Sequence, residues 1–83
     1  MRADRVYRVL HSRGGPAPAL LAEPDRVDHV EVVEIDSGEV VLFWDAAPRD
    51  AKQLMRRLQV DLTRLEAEEF IGDWAAVDLA DLP

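Results

Sequence analysis

The sequence predicts an α+β fold, in which a three-stranded antiparallel sheet packs against a C-terminal amphipathic helix. Segments rich in β-branched and aromatic residues occupy the first half of the chain, and a helical pattern occupies the second half. A short turn motif joins two of the strand-like segments. Strands and helices that are segregated in this way along a chain are typical of α+β domains.

We predict the first strand at residues 5–11, and a glycine- and proline-rich cluster at 14–18 ends it. The other two strands form a predicted hairpin of residues 28–35 and 39–45, because the intervening Asp-Ser-Gly sequence suits a tight turn. The apolar positions of 28–35 change face midway, which indicates either a β-bulge or a strand partly covered on both faces. Residues 40–44 are all apolar, so we expect this strand at the centre of the sheet.

The helix is predicted to begin at Pro48, since proline suits a first helical position. Its apolar residues recur with a period of 3.6 and form one stripe: Ala51, Leu54, Met55, Leu58, Leu62 and Leu65. At 100° per residue, Phe70, Ile71 and Trp74 fall nearly opposite this stripe. The helix is therefore expected to bend or restart near residues 62–68, and a capping-box pattern from Thr63 to Glu66 offers one place for a restart.

Length and charge limit the classes of protein that this chain can be. We expect one small globular domain, residues 1–83, with residues 78–83 as a frayed acidic tail. The net charge of −7 argues against binding to nucleic acid or to an anionic membrane surface. The longest apolar run is too short to span a bilayer, and residues 1–10 do not resemble a signal peptide. We therefore expect a cytoplasmic location.

No catalytic or cofactor motif is recognisable in the sequence. Cysteine is absent, and the serine beside His11 would point to the opposite face of a strand. We therefore expect a protein that is not an enzyme and that holds no cofactor.

The most suggestive pattern for function is an apolar set on the acidic C-terminal helix: Phe70, Ile71, Trp74 and Val77. This spacing is typical of a helix that binds a groove on another protein, although the same side chains would also suit the chain's own core. We expect a protein-interaction or regulatory module that binds a protein partner or a second copy of itself, through this helix or through a face of the sheet.

An alternative is a small ligand- or metal-binding domain. His11 and His29 lie near the ends of the first two strands, and Glu31 follows two residues after His29. If these strands are adjacent, the three side chains could supply nitrogen and oxygen ligands to zinc or nickel.

Overall fold

The computed structural model describes residues 1–12 and 27–77, which form a three-stranded antiparallel sheet with helices packed on one face. The predicted loop at 14–18 and the predicted tail at 78–83 lie outside these residues. The elements in chain order are α1 (Ala3–Val6), β1 (Tyr7–Ser12), β2 (Asp28–Glu34), β3 (Val40–Ala46), α2 (Pro48–Arg64) and α3 (Ala67–Ala75). The predicted α+β class is confirmed.

The sheet has the order β1-β2-β3. The predicted hairpin is confirmed: Gly38 adopts a φ of 72°, and the Ser37 hydroxyl accepts a hydrogen bond from the Glu39 amide at 3.1 Å. A register shift lies between Val32 and Val33, and the extra residue that it creates is Val41 in β3. The predicted irregularity therefore lies at the expected place, but the additional residue belongs to the partner strand.

The expectation that residues 40–44 form the central strand is wrong. β2 is central because it pairs with both other strands, and β3 lies at an edge. The start of the first strand also differs from the prediction, since residues 3–6 form a helical turn. Ala3 is fully buried in the core, and this contact places the turn against the helices.

One hydrophobic cluster joins the inner face of the sheet to α2 and α3. Val30, Val32 and Trp44 face the helices from the sheet, and Leu54 and Leu58 face the sheet from α2. The predicted stripe of α2 is thus its buried face, although Met55 is only partly buried.

The helix restarts within the predicted region, between Arg64 and Ala67. The capping-box interpretation is wrong: the Thr63 hydroxyl donates within α2 to the carbonyl of Val60 at 2.9 Å, and the residue that precedes α3 is Glu66. The restart turns Phe70 into the same core that holds Leu58 and Leu62.

The N-terminal segment satisfies backbone groups that this break leaves without helical partners. The Ala3 amide donates to the carbonyl of Leu65, and the Ala67 amide donates to the carbonyl of Met1, each at 2.9 Å. The Arg2 guanidinium donates to the carbonyl of Arg64 at 2.8 Å. Residues 1–3 therefore hold the ends of two helices that lie about 60 residues later in the chain.

An ion pair at the same place gives a pH-dependent prediction. The Met1 amino group lies 2.9 Å from Glu66 Oε2, and this hydrogen bond raises the pKa of the amine and lowers the pKa of the carboxylate. The amine's contribution to stability is lost as pH rises through its folded-state pKa. The contribution of Glu66 is lost as pH falls through its folded-state pKa. The pair should therefore stabilise the fold between roughly pH 5 and pH 7.5.

We expect Glu66→Gln to lower the urea midpoint inside this window and to converge with the wild type at low pH. The shift should be small, because both groups are solvent-exposed. Urea titrations of both proteins from pH 3 to pH 9.5 would measure it, with Glu69→Gln on the same helix as the control. A Glu66→Gln midpoint that follows the wild type at every pH would contradict the pairing.

Candidate functional site: the open face of the sheet

The two faces of the sheet differ in what covers them. The helices cover the face that carries Val9, Val30 and Trp44. The residues between them along each strand point to the other face of the sheet. None of the described helices covers that face. We call this second surface the open face. Its apolar members are Leu10, Val33, Val40 and Phe43, and its polar or charged members are Arg8, Ser12, His29, Glu31 and Asp45.

The open face exposes large apolar side chains. Phe43 is 51% exposed, Val40 47% and Leu10 45%, and the bulged Val41 is also exposed beside them. An antiparallel sheet with one solvated face usually alternates apolar residues inside with polar residues outside. In β3 that alternation fails, because five apolar residues run consecutively from 40 to 44. The run thus contains residues of both faces of the strand: Trp44 is buried against the helices, whereas Val40 and Phe43 are exposed on the open face.

Glu31 lies in the middle of the open face. It is half-buried on the central strand, and its cross-strand neighbours are Leu10 on β1 and Phe43 on β3. Within residues 1–12 and 27–77, its carboxylate makes no hydrogen bond or ion pair. A negative charge therefore stands between two large apolar side chains.

His29 and Asp45 form a polar pair at one end of this face. His29 Nδ1 donates to Asp45 Oδ1 at 2.6 Å, and the imidazole stacks on Phe43 with ring centroids 5.6 Å apart. Both side chains are well exposed to solvent. Asp45 thus accepts a hydrogen bond from its neighbour, whereas Glu31 accepts none from the described residues.

The three residues of the predicted metal site do not come together. His29 and Glu31 lie on the open face, but His11 pairs with Val30 and so lies on the face that the helices cover. There His11 Nε2 donates to Asp28 Oδ2 at 2.9 Å, and Asp28 is only 2% exposed. Within the described part of the chain, no group of three or more His, Asp or Glu side chains could hold a metal ion. The structure therefore does not bring together the three side chains of the predicted metal site.

One row across the sheet contains the residue types of a serine hydrolase. Ser12 lies opposite His29, and His29 is hydrogen-bonded to Asp45. The imidazole, however, stacks on Phe43 towards the β3 side, and no hydrogen bond joins Ser12 to His29 among the described residues. Within the described residues, this row therefore lacks the serine–histidine hydrogen bond of a catalytic triad.

The predicted contact set on the C-terminal helix lies largely inside the molecule. Phe70 is fully buried and Trp74 is 5% exposed, while Ile71 and Val77 are partly buried against the same core. Trp74 Nε1 also donates to Asp61 Oδ2 at 2.9 Å, which ties α3 to α2. These four side chains therefore do not form an exposed face in this structure. Sequence reasoning did not single out Leu10 and Phe43, which do lie on an exposed face.

The solvent side of α2 has the opposite electrostatic character. This helix carries five basic and two acidic residues, whereas the whole chain has a net charge of −7. Val60 is its only large apolar residue that is strongly exposed. The molecule thus presents a largely apolar surface on the sheet, with Glu31 at its centre and with Arg8 and Asp45 nearer the ends of their strands, and a basic surface on the helix.

Comparisons with protein-family models, with curated proteins and with solved structures find no significant match to this chain. None of the described helices is long and apolar enough to cross a membrane. Any assignment of function therefore depends on the geometry of the open face and on the charges around it.

Proposed function

We propose that this chain is a non-catalytic protein-interaction module, and that its contact surface is the open face of the sheet. The observation that supports the proposal most strongly is the group of exposed apolar side chains on one face of a sheet whose core lies on the other face. Exposed apolar groups of this kind, rimmed by polar residues, mark interaction sites in soluble proteins. Burial of Leu10, Val40 and Phe43 on association would supply the hydrophobic driving force.

The position of the surface also favours recognition of another protein. β3 is an edge strand, so backbone groups along one side of it are not paired within the described sheet. Natural proteins usually protect such edges with lysine, proline or short strand length. Here the seven residues of β3 include neither lysine nor proline, and its protective features are the bulge at Val41 and the charge of Asp45. A binding partner that covers the open face would also cover the side chains along this edge.

Substitution of exposed residues provides a direct test. We expect Phe43→Ser and Val40→Ser to abolish most of the binding to a partner, because each removes exposed apolar area from the contact surface. Both side chains are about half exposed, so the thermal midpoint should change little. Val60→Ser on α2 is the matched control for Val40→Ser, since the two valines have similar exposure, 54% and 47%.

The measurement combines sedimentation velocity of the purified chain with quantitative affinity capture from the lysate of its source organism. A specific partner, or a second copy, should be retained by the wild type and by Val60→Ser but lost by the two sheet variants. Equal association by all four proteins would contradict the open face as the contact surface.

A further inference from the structure

The charge at the centre of the open face limits which partner can cover it. Glu31 stands between Leu10 and Phe43 and has no partner among the described residues. A partner that buries the two apolar neighbours would also remove water from this carboxylate. Burial of an unpaired carboxylate is strongly unfavourable, whereas a cation supplied by the partner would offset the cost. The centre of the surface therefore favours a partner that places a basic side chain against Glu31, although Arg8 also lies on this face.

A second copy fits this requirement poorly. In a symmetric dimer, each residue on the two-fold axis meets its own counterpart. Glu31 lies on the central strand, between the middle residues of the two outer strands. Face-to-face packing about the centre of the sheet would place the two Glu31 carboxylates against each other. Like charges in a desolvated contact are unfavourable, so the centred dimer is opposed by this residue.

The dimensions of the surface indicate what kind of element would cover it. Neighbouring strands lie about 4.8 Å apart, so the outer strands of a three-stranded sheet are separated by roughly 10 Å. This matches the diameter of one α-helix, about 10–12 Å with its side chains. The opposite face of the same sheet is covered by α2, whose apolar stripe lies on the sheet. A helix on the open face would repeat this arrangement and produce three layers.

We propose that the open face binds an amphipathic helix of another protein, and that this helix carries lysine or arginine beside its apolar stripe. The apolar side chains of the helix would contact Leu10, Val40 and Phe43, and its basic side chain would pair with Glu31. The inference rests on the proposed function, because it specifies the partner of the same surface.

Two synthetic 18-residue helices are suitable probes. They share one leucine stripe and carry either lysine or glutamate at the remaining positions. Titration into the ¹⁵N-labelled chain, followed by amide chemical shifts, would give both the affinity and the surface that is contacted. We expect the lysine peptide to bind about tenfold more tightly than the glutamate peptide and to shift the amides of Leu10, Glu31 and Phe43.

Glu31→Gln separates a local ion pair from general attraction to an acidic protein. This change should weaken binding of the lysine peptide about fivefold, because the pair is desolvated in the complex. Glu68→Gln removes the same charge from α3, and it should change the affinity less than about twofold, since exposed charges outside the contact contribute little.

The outcomes distinguish this inference from the proposed function. Equal affinity for the two peptides, or equal effects of Glu31→Gln and Glu68→Gln, would overturn the basic-helix inference while the open face remained a contact surface. A dimer of this chain that Phe43→Ser abolishes would likewise overturn the basic-helix inference and keep the open face as a contact surface. Failure of both peptides to shift the sheet amides, together with unchanged capture by Phe43→Ser, would remove the proposed function as well.

Discussion

Phe70→Ala is expected to lower the free energy of unfolding by about 3–5 kcal/mol. The side chain is fully buried, its ring stacks on Tyr7 at a centroid distance of 5.8 Å, and it also contacts the ring of Trp74. Truncation would leave a cavity where the N-terminal segment, β1 and α3 meet. Small domains have a total stability of roughly 5–15 kcal/mol, so this loss would be a large fraction of it.

Urea unfolding followed by circular dichroism would measure the change. Ile71→Ala is the control, because Ile71 follows directly on the same helix and is only partly buried. We expect its cost to be about 1–2 kcal/mol, which is below the range expected at Phe70. Similar small costs for both variants would show that α3 does not pack against the sheet as described.

The position of Phe70 illustrates how far the sequence can predict this fold. The 100° rotation between successive residues showed that Phe70 and Trp74 could not join the leucine stripe in one straight helix, and the helix does break there. The mechanism of the break was not predictable from local pattern. The backbone groups at the break bond to residues 1–3, and a four-residue capping motif contains no information about so distant a contact.

The arrangement of strands was predictable only in part. The turn at Gly38 fixed the hairpin, because a positive φ angle at that position favours glycine. An apolar run such as residues 40–44 does not by itself distinguish a central strand from an edge strand with an exposed apolar face. The position of β3 at an edge follows from the pairing of β1 with β2. That pairing joins two strands that are separated by a long connection in the sequence.

Prediction of the candidate site required the same information, namely the register between β1 and β2. Adjacent strands were expected to bring His11 and His29 together, and the strands are indeed neighbours. A shift of one residue in register moves a side chain to the opposite face. Ser12, not His11, lies opposite His29, so the two histidines lie on different faces. For the same reason, the sequence did not show that Glu31 stands between Leu10 and Phe43.

These two histidines provide the second large predicted effect. Each is hydrogen-bonded to an aspartate, but Asp28 is 2% exposed whereas the side chain of Asp45 is 57% exposed. We expect His11→Ala to cost about 1–3 kcal/mol, because it deprives a buried carboxylate of a hydrogen-bond donor. His29→Ala should cost less than about 1 kcal/mol, since water can solvate Asp45.

A double-mutant cycle would separate the hydrogen bond from the packing of the imidazole ring. His11→Ala should cost at least about 1 kcal/mol less in an Asp28→Ala background than in the wild type, because the carboxylate is then no longer left without this donor. Urea unfolding of the four proteins at pH 7 would provide the coupling energy, with the same cycle at His29 and Asp45 as the exposed comparison. A cost at His11 that does not depend on Asp28, or equal coupling in both cycles, would mean that burial of Asp28 does not strengthen its pairing. The hydrogen bond from His11 would then not be what stabilises Asp28 in its buried position.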